Sequence, residues 1–255
     1  MKSPAAAIAR YTFQEALRNR LFGLTLAGLV CLLGVTEFIG ELALTETAAI
    51  QALLVGSGMR LFAVCTVSLF VITSTVREFN DKGFELLLSL PIPRHSYFLG
   101  KFCGFLLLAL VIAAAAAALL LLYSDVASVM VWLVSLISEL AIMIALSLLL
   151  LLTFSNITVS FILALAFYLL ARSMAAIQLI ARSPILETDT LSQAFMNHLV
   201  DAAAFLLPEL HNFTRSDWLV HGVSWQALGV VAGQTLIYVV LLSAAGLFDL
   251  YRKDL

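Results

Sequence analysis

Residues 77–101, from Arg77 to Lys101, read REFNDKGFELLLSLPIPRHSYFLGK, the one long polar interruption in the first half of the chain. Inside it a short amphipathic run, Phe84 to Leu90, is stopped by Pro91 and Pro93, because proline brings no N–H to a helical ladder. A second helical start at Ser96 leads through Gly100 and Lys101 into a long apolar segment. A compact helix held between two membrane spans reads as a docking element, on which a partner outside the membrane pushes. The plainer reading is an inner-surface loop whose charges only set topology.

The rest of the chain is mostly hydrocarbon. Of 255 residues, 62% are hydrophobic and 12% charged, with a mean hydropathy of +1.06. Soluble domains carry about 45–50% apolar and about 25% charged residues, so a water-soluble globule is excluded. Apolar segments at about 21–39, 53–76, 102–123, 129–154, 158–180 and 227–248 each approach the ~20 residues a helical span needs. Neither internal repeats nor low-complexity linkers divide the chain. The expected fold is therefore an all-α membrane protein, with residues 1–255 forming one transmembrane domain of six helices. The first apolar run begins only near Leu21 and lacks a small-residue cleavage site, so it is expected to stay as a span.

Three shorter pieces complete the layout. Before the first span, Ala9, Phe13, Leu17 and Leu21 gather on one side of a helix, with Glu15 and Arg18 across from them. This predicts an interfacial helix within residues 1–20, its Arg10, Arg18 and Arg20 near lipid phosphates. Residues 182–226 are too polar to span and too apolar for a free loop. Leu191, Phe195 and Leu199 fall near helical spacing there, predicting one or two short outer-face helices anchored by Trp218 and Trp225. Ser124-Asp125 and Ser155-Asn156 read as tight turns.

Orientation follows from the bias of lysine and arginine. With the amino terminus in the cytoplasm, Lys2, Arg10, Arg18, Arg20, Arg77, Lys82, Arg94, Lys101, Arg252 and Lys253 all fall inside. The other side collects Glu37, Glu41, Glu46, Asp125, Glu187, Asp189, Asp201, Glu209 and Asp217, offset by Arg182 and Arg215. An even number of spans returns the carboxyl terminus to the cytoplasm.

Arg60, Glu139 and Arg172 fall within spans, where a charge costs roughly 2.5–3.5 kcal/mol on insertion scales. Glu139 lies near mid-depth, and a structural pair with Arg60 or Arg172 is one reading; the other is that both arginines snorkel to an interface. Gly100-Lys-Phe-Cys-Gly104 and Gly229-Val-Val-Ala-Gly233 match the small-xxx-small pattern of closely packed helices. Packing within one subunit is the expected use, a dimer seam the lesser one. His198, His211 and His221, with Met196 nearby, match no compact ligand spacing and read as interfacial, so no metal site is assigned. Cys31, Cys65 and Cys103 show no pairing pattern.

With these residues in place, the chain resembles the type-2 ABC exporter permeases. The likeness lies in Arg77, Glu78 and Gly83, followed by LLSLPIPRHSYFLGK: an Arg-Glu pair, a glycine, a leucine-rich turn, a proline break, a basic residue and a Gly-Lys opening the third span. The ending at Phe248 and Arg252-Lys253-Asp254-Leu255 is also similar to the family's. The resemblance implies that this loop holds the coupling helix, seated in a cleft of a separate ATPase subunit. Arg77, Glu78, Glu85, Arg94 and Lys101 would then dock by charge, Phe79, Phe84 and Leu87 by apolar contact, and Gly83 and Pro91 would shape the turn. It further implies two permease copies and two ATPase subunits in a bacterial inner membrane, with ATP and magnesium on the ATPase and no cofactor on this chain. Against that background the sequon Asn212-Phe-Thr214 is discounted.

The chain's own residues agree that fuel lies elsewhere. Gly100-Lys101 lacks the upstream glycine and following Ser or Thr of a phosphate-binding loop. No His-Glu-x-x-His or Gly-x-Ser-x-Gly sequence is present, so the chain is not expected to be an enzyme. No nucleic-acid partner is expected either. The competing function is a proton-coupled secondary transporter using Glu139, although the inverted repeats and broken helices usual there are missing.

Overall fold

The computed structural model describes residues 3–42, 47–80, 93–182, 191–213 and 225–252. Those residues fold into helices, and no strand occurs among them. In chain order the helices are α1 (Pro4–Arg18), α2 (Arg20–Leu42), α3 (Thr47–Asn80), α4 (Arg94–Leu120), α5 (Val126–Phe154), α6 (Ile157–Arg182), α7 (Leu191–Leu206), α8 (Leu210–Phe213) and α9 (Trp225–Arg252). Six of them, α2 to α6 and α9, are long and apolar enough to cross a membrane. The chain thus has the architecture of a multi-pass helical membrane protein.

Local chemistry sets the breaks. Pro4 occupies the first turn of α1, where a missing N–H costs nothing. Asn19 swings to an extended ψ of 140° and ends α1, and its side chain then accepts a hydrogen bond from the Leu21 amide at 3.1 Å. Pro93 caps α4. Asp125 caps α5 by accepting from the Ser128 amide at 3.2 Å; hydrogen bonding from the Ser128 side chain first, then from its amide, holds the Asp125 carboxyl below the usual carboxylate range. At the other end of α5, Ser155 takes a left-handed φ of 52° that closes the helix. Asn156 immediately opens α6, accepting from the Val159 amide at 3.2 Å.

Several helices outrun the expected spans. The 34 residues of α3 extend about 50 Å at the usual helical rise, against a hydrocarbon core of about 30 Å. The third span, expected from residue 102, belongs to a helix that already starts at Arg94. Hydropathy marks only the hydrocarbon-depth part of each helix, so the polar ends of α3 and α4 escaped it.

The bundle is organised around α5, which packs on α3, α4, α6, α8 and α9. Trp132, Leu136, Leu140 and Ile144 are fully buried on it. Helices α2 and α9 sit at the periphery with most of their apolar surface outward, including Leu24, Val30, Leu236 and Ile237.

The amino-terminal helix corrects the expected lipid-facing stripe. It packs along the beginning of α4 through Ala9, Thr12 and Ala16, which are buried, while Phe13 and Leu17 are only partly so. Glycine allows that approach. A Cβ on Gly100 would lie 2.8 Å from Ile8 Cβ, and one on Gly104 would lie 2.7 Å from Thr12 Cβ and 2.8 Å from the Ala9 carbonyl oxygen. The first small-xxx-small pair therefore joins α4 to α1 within one subunit, whereas Gly229 and Gly233 have nothing within 4 Å.

In residues 182–226, α7 and α8 are the two short helices that the spacing predicts. Gly83, Phe84, Glu85, Leu87 and Pro91 lie outside the described residues, as do Trp218 and His221.

Candidate functional site

Helices α3 and α4 flank the segment quoted at the outset, and their facing ends are locked together. Glu78, in the last turn of α3, reaches Lys101 on α4 at 2.5 Å. The same carboxylate oxygen accepts a hydrogen bond from the Tyr97 hydroxyl at 3.0 Å. Tyr97 and Lys101 are four residues apart and so share one face of α4. Lys101 is 1% exposed, and its ammonium lies 5.8 Å from the centroid of the Phe105 ring. A lysine so enclosed needs its counter-charge, because desolvating an unpaired ammonium costs several kcal/mol.

The first helix joins the same cluster. Ser74, one turn before Glu78, donates to Glu15 on α1 at 3.5 Å, and Glu15 lies within electrostatic reach of Tyr97. Arg94, at the start of α4, donates to the carbonyls of Leu250 at 2.8 Å and Tyr251 at 3.2 Å. Those are free carbonyls in the last turn of α9, where a cation also meets the negative end of the helix dipole. Four helices, α1, α3, α4 and α9, are thus tied around the base of residues 81–92.

The expected coupling residues divide accordingly. Glu78 and Lys101 face each other, and Arg94 holds the end of α9. Phe79 is half-buried against the core, while Arg77 is exposed. The sequence marks Glu15 only as part of the polar side of the first helix, and gives Tyr97 and Ser74 no role. The i,i+4 spacing of Tyr97 and Lys101 was the available signal, but nothing local says that Glu78 faces them.

A second buried cluster lies deeper in the bundle. Arg60 of α3 and Glu139 of α5 form an ion pair at 2.7 Å, both side chains fully buried. Arg60 also reaches the Ser135 hydroxyl at 3.4 Å and the Trp132 carbonyl at 3.5 Å, with its guanidinium 5.1 Å from the Trp132 ring centroid. For Arg60 the pairing reading holds and the snorkelling one does not, because its side chain is fully buried against Glu139. Ser135 in turn donates to the Phe213 carbonyl of α8 at 2.5 Å. Arg172 pairs differently, donating to the Tyr168 hydroxyl on its own helix at 2.9 Å. Tyr168 is fully buried and lies within electrostatic reach of Glu139. Trp132, Ser135 and Glu139 recur at helical spacing on α5, a polar stripe visible in the sequence only once Glu139 is taken as its centre.

Among the described residues, no group of three His, Cys, Asp or Glu side chains is placed to hold a metal ion. The two clusters brace helices and fix charges. No protein-family model matches the chain, and no curated protein matches it in sequence.

Proposed function

We propose that this chain is the membrane-spanning permease subunit of an ATP-driven ABC transporter, working as an exporter. Two copies form the translocation path, and two separate ATPase subunits bind ATP and magnesium. The six apolar helices agree with this reading, the lysine and arginine bias supports placing both termini on the cytoplasmic side, and the resemblance to the exporter permeases suggests a bacterial inner membrane. The observation that carries it is the brace at the base of residues 81–92. A force applied to that segment by a neighbour would enter α3 and α4, which Glu78 and Lys101 join, and would pass to α1 through Ser74 and Glu15 and to α9 through Arg94. An ordinary connecting loop has no need of a buried ion pair at its root.

The test is mechanical. Phe84→Asp or Leu87→Asp should abolish co-purification with a soluble ATPase and ATP-dependent transport, while leaving the folded permease in the membrane. Intact assembly and transport in both variants would defeat the proposal.

A second reading, a proton-coupled carrier, draws on the buried Glu139, whose Oε1 has no hydrogen-bond partner among the described residues. Against it, Glu139 is already engaged by Arg60 at 2.7 Å in a fully buried pair. Proton-gradient-driven transport lost in Glu139→Gln, with no ATPase present, would favour the carrier.

A further inference from the structure

Between α2 and α3 the outward surface holds an apolar groove of about 310 Å³. Leu21, Leu24 and Gly28 line it from α2, and Phe62, Thr66 and Phe70 from α3. The Thr66 hydroxyl is turned onto the Phe62 carbonyl of its own helix at 2.8 Å, so no hydroxyl donor is left over for the groove. Gly28 keeps the two helices close, since a Cβ there would come within 2.3 Å of the Phe62 ring.

One end of this groove is charged. Gly28 meets Phe62, while Leu21 shares the groove with Phe70, so the two helices run in opposite directions. Arg18 and Arg20 directly precede Leu21, and Arg77 lies two turns beyond Phe70 on the same face of α3. All three are exposed. Neighbouring carboxylates are engaged elsewhere, Glu15 with Ser74 and Glu78 with Lys101. Among the described residues none of the three arginines forms an ion pair.

We infer that the groove is a binding site for a phospholipid with an anionic headgroup, its acyl chain along Leu24 and Phe62 and its phosphate on Arg20 and Arg77. Lipid tails alone would fill any apolar groove without regard to headgroup. Arginines at one end of an interhelical groove create the preference, because they are drawn to a headgroup of net negative charge, whereas a zwitterionic headgroup offsets its phosphate with its own cation. A second copy of the chain is the poorer occupant: seated symmetrically, it would bring a second set of arginines against the first.

The purified full-length chain should be compared for lipid retention by native mass spectrometry with phosphatidylglycerol and phosphatidylcholine of equal chain length. Phosphatidylglycerol should be retained preferentially, each arginine contributing roughly fivefold. Arg20→Gln with Arg77→Gln should erase the preference. Leu24→Trp, at a position 66% exposed, should fill the groove and lower retention of both lipids. Equal retention by the unaltered chain overturns the inference, as does a preference that survives loss of both arginines. A disulfide between two Leu24→Cys copies in the membrane would overturn it too, by seating a second copy there.

Discussion

Arg60 and Glu139 stand 79 positions apart in the chain and meet at 2.7 Å with neither side chain exposed. The pair joins α3 to α5 where water is least available, so each charge depends on the other. Arg60→Ala or Glu139→Ala alone should cost about 3–5 kcal/mol, because the remaining charge stays buried. Arg60→Met combined with Glu139→Leu should restore most of that loss. Unfolding of the purified protein in mixed micelles measures both, and additive losses would refute the pairing.

The base of residues 81–92 makes a parallel prediction. Glu78→Gln strands Lys101 in a site where it is 1% exposed, and should destabilise by about 3 kcal/mol. Adding Lys101→Met should recover part of it. A thermal-unfolding double-mutant cycle with no coupling between the two positions would show that the 2.5 Å contact contributes nothing.

Gly104→Leu should lift α1 from α4, since even a Cβ there meets the Ala9 carbonyl at 2.8 Å. Trypsin should then cut faster at Arg10 and Arg18, read by mass spectrometry of the amino-terminal fragments. Gly229→Leu and Gly233→Leu, which point into open space, should change stability by less than about 0.5 kcal/mol.

Tyr123 predicts a pH dependence. Burial first, then the hydrogen bond to Glu37 and its charge, push the Tyr123 hydroxyl up to about 12. Its contribution is whole below the ordinary tyrosine value of about 10 and fades as pH rises through 12. Ultraviolet titration of Tyr123→Phe beside the unaltered protein should show the loss of one tyrosine's worth of the late-ionising signal. The stability difference between the two proteins should shrink over the same range.

The sequence disclosed what depends on local pattern. Hydropathy placed all six crossing helices, and Ser124-Asp125 and Ser155-Asn156 marked the turns at the ends of α5. What stayed hidden depends on partners distant in the chain. Glu139 had two candidate arginines, and only the packing of α3 on α5 selects Arg60. Amphipathic spacing in α1 pointed to Ala9, Phe13, Leu17 and Leu21; Ala9 is buried and Phe13 and Leu17 are partly so, but the other two fully seated positions, Thr12 and Ala16, escaped it. Small residues carry little hydropathy signal, and their value appears only opposite Gly100 and Gly104.

That contact between α1 and the glycines of α4 also has a temporal side. The first helix is made before its seat exists, because Gly100 and Gly104 leave the ribosome only after two crossings have been synthesised. Until then Ala9, Thr12 and Ala16 have nothing of their own chain to rest on. Arrival of the third crossing would complete the fold at its beginning, so a chain cut short before α4 would be left with an unattached leading end.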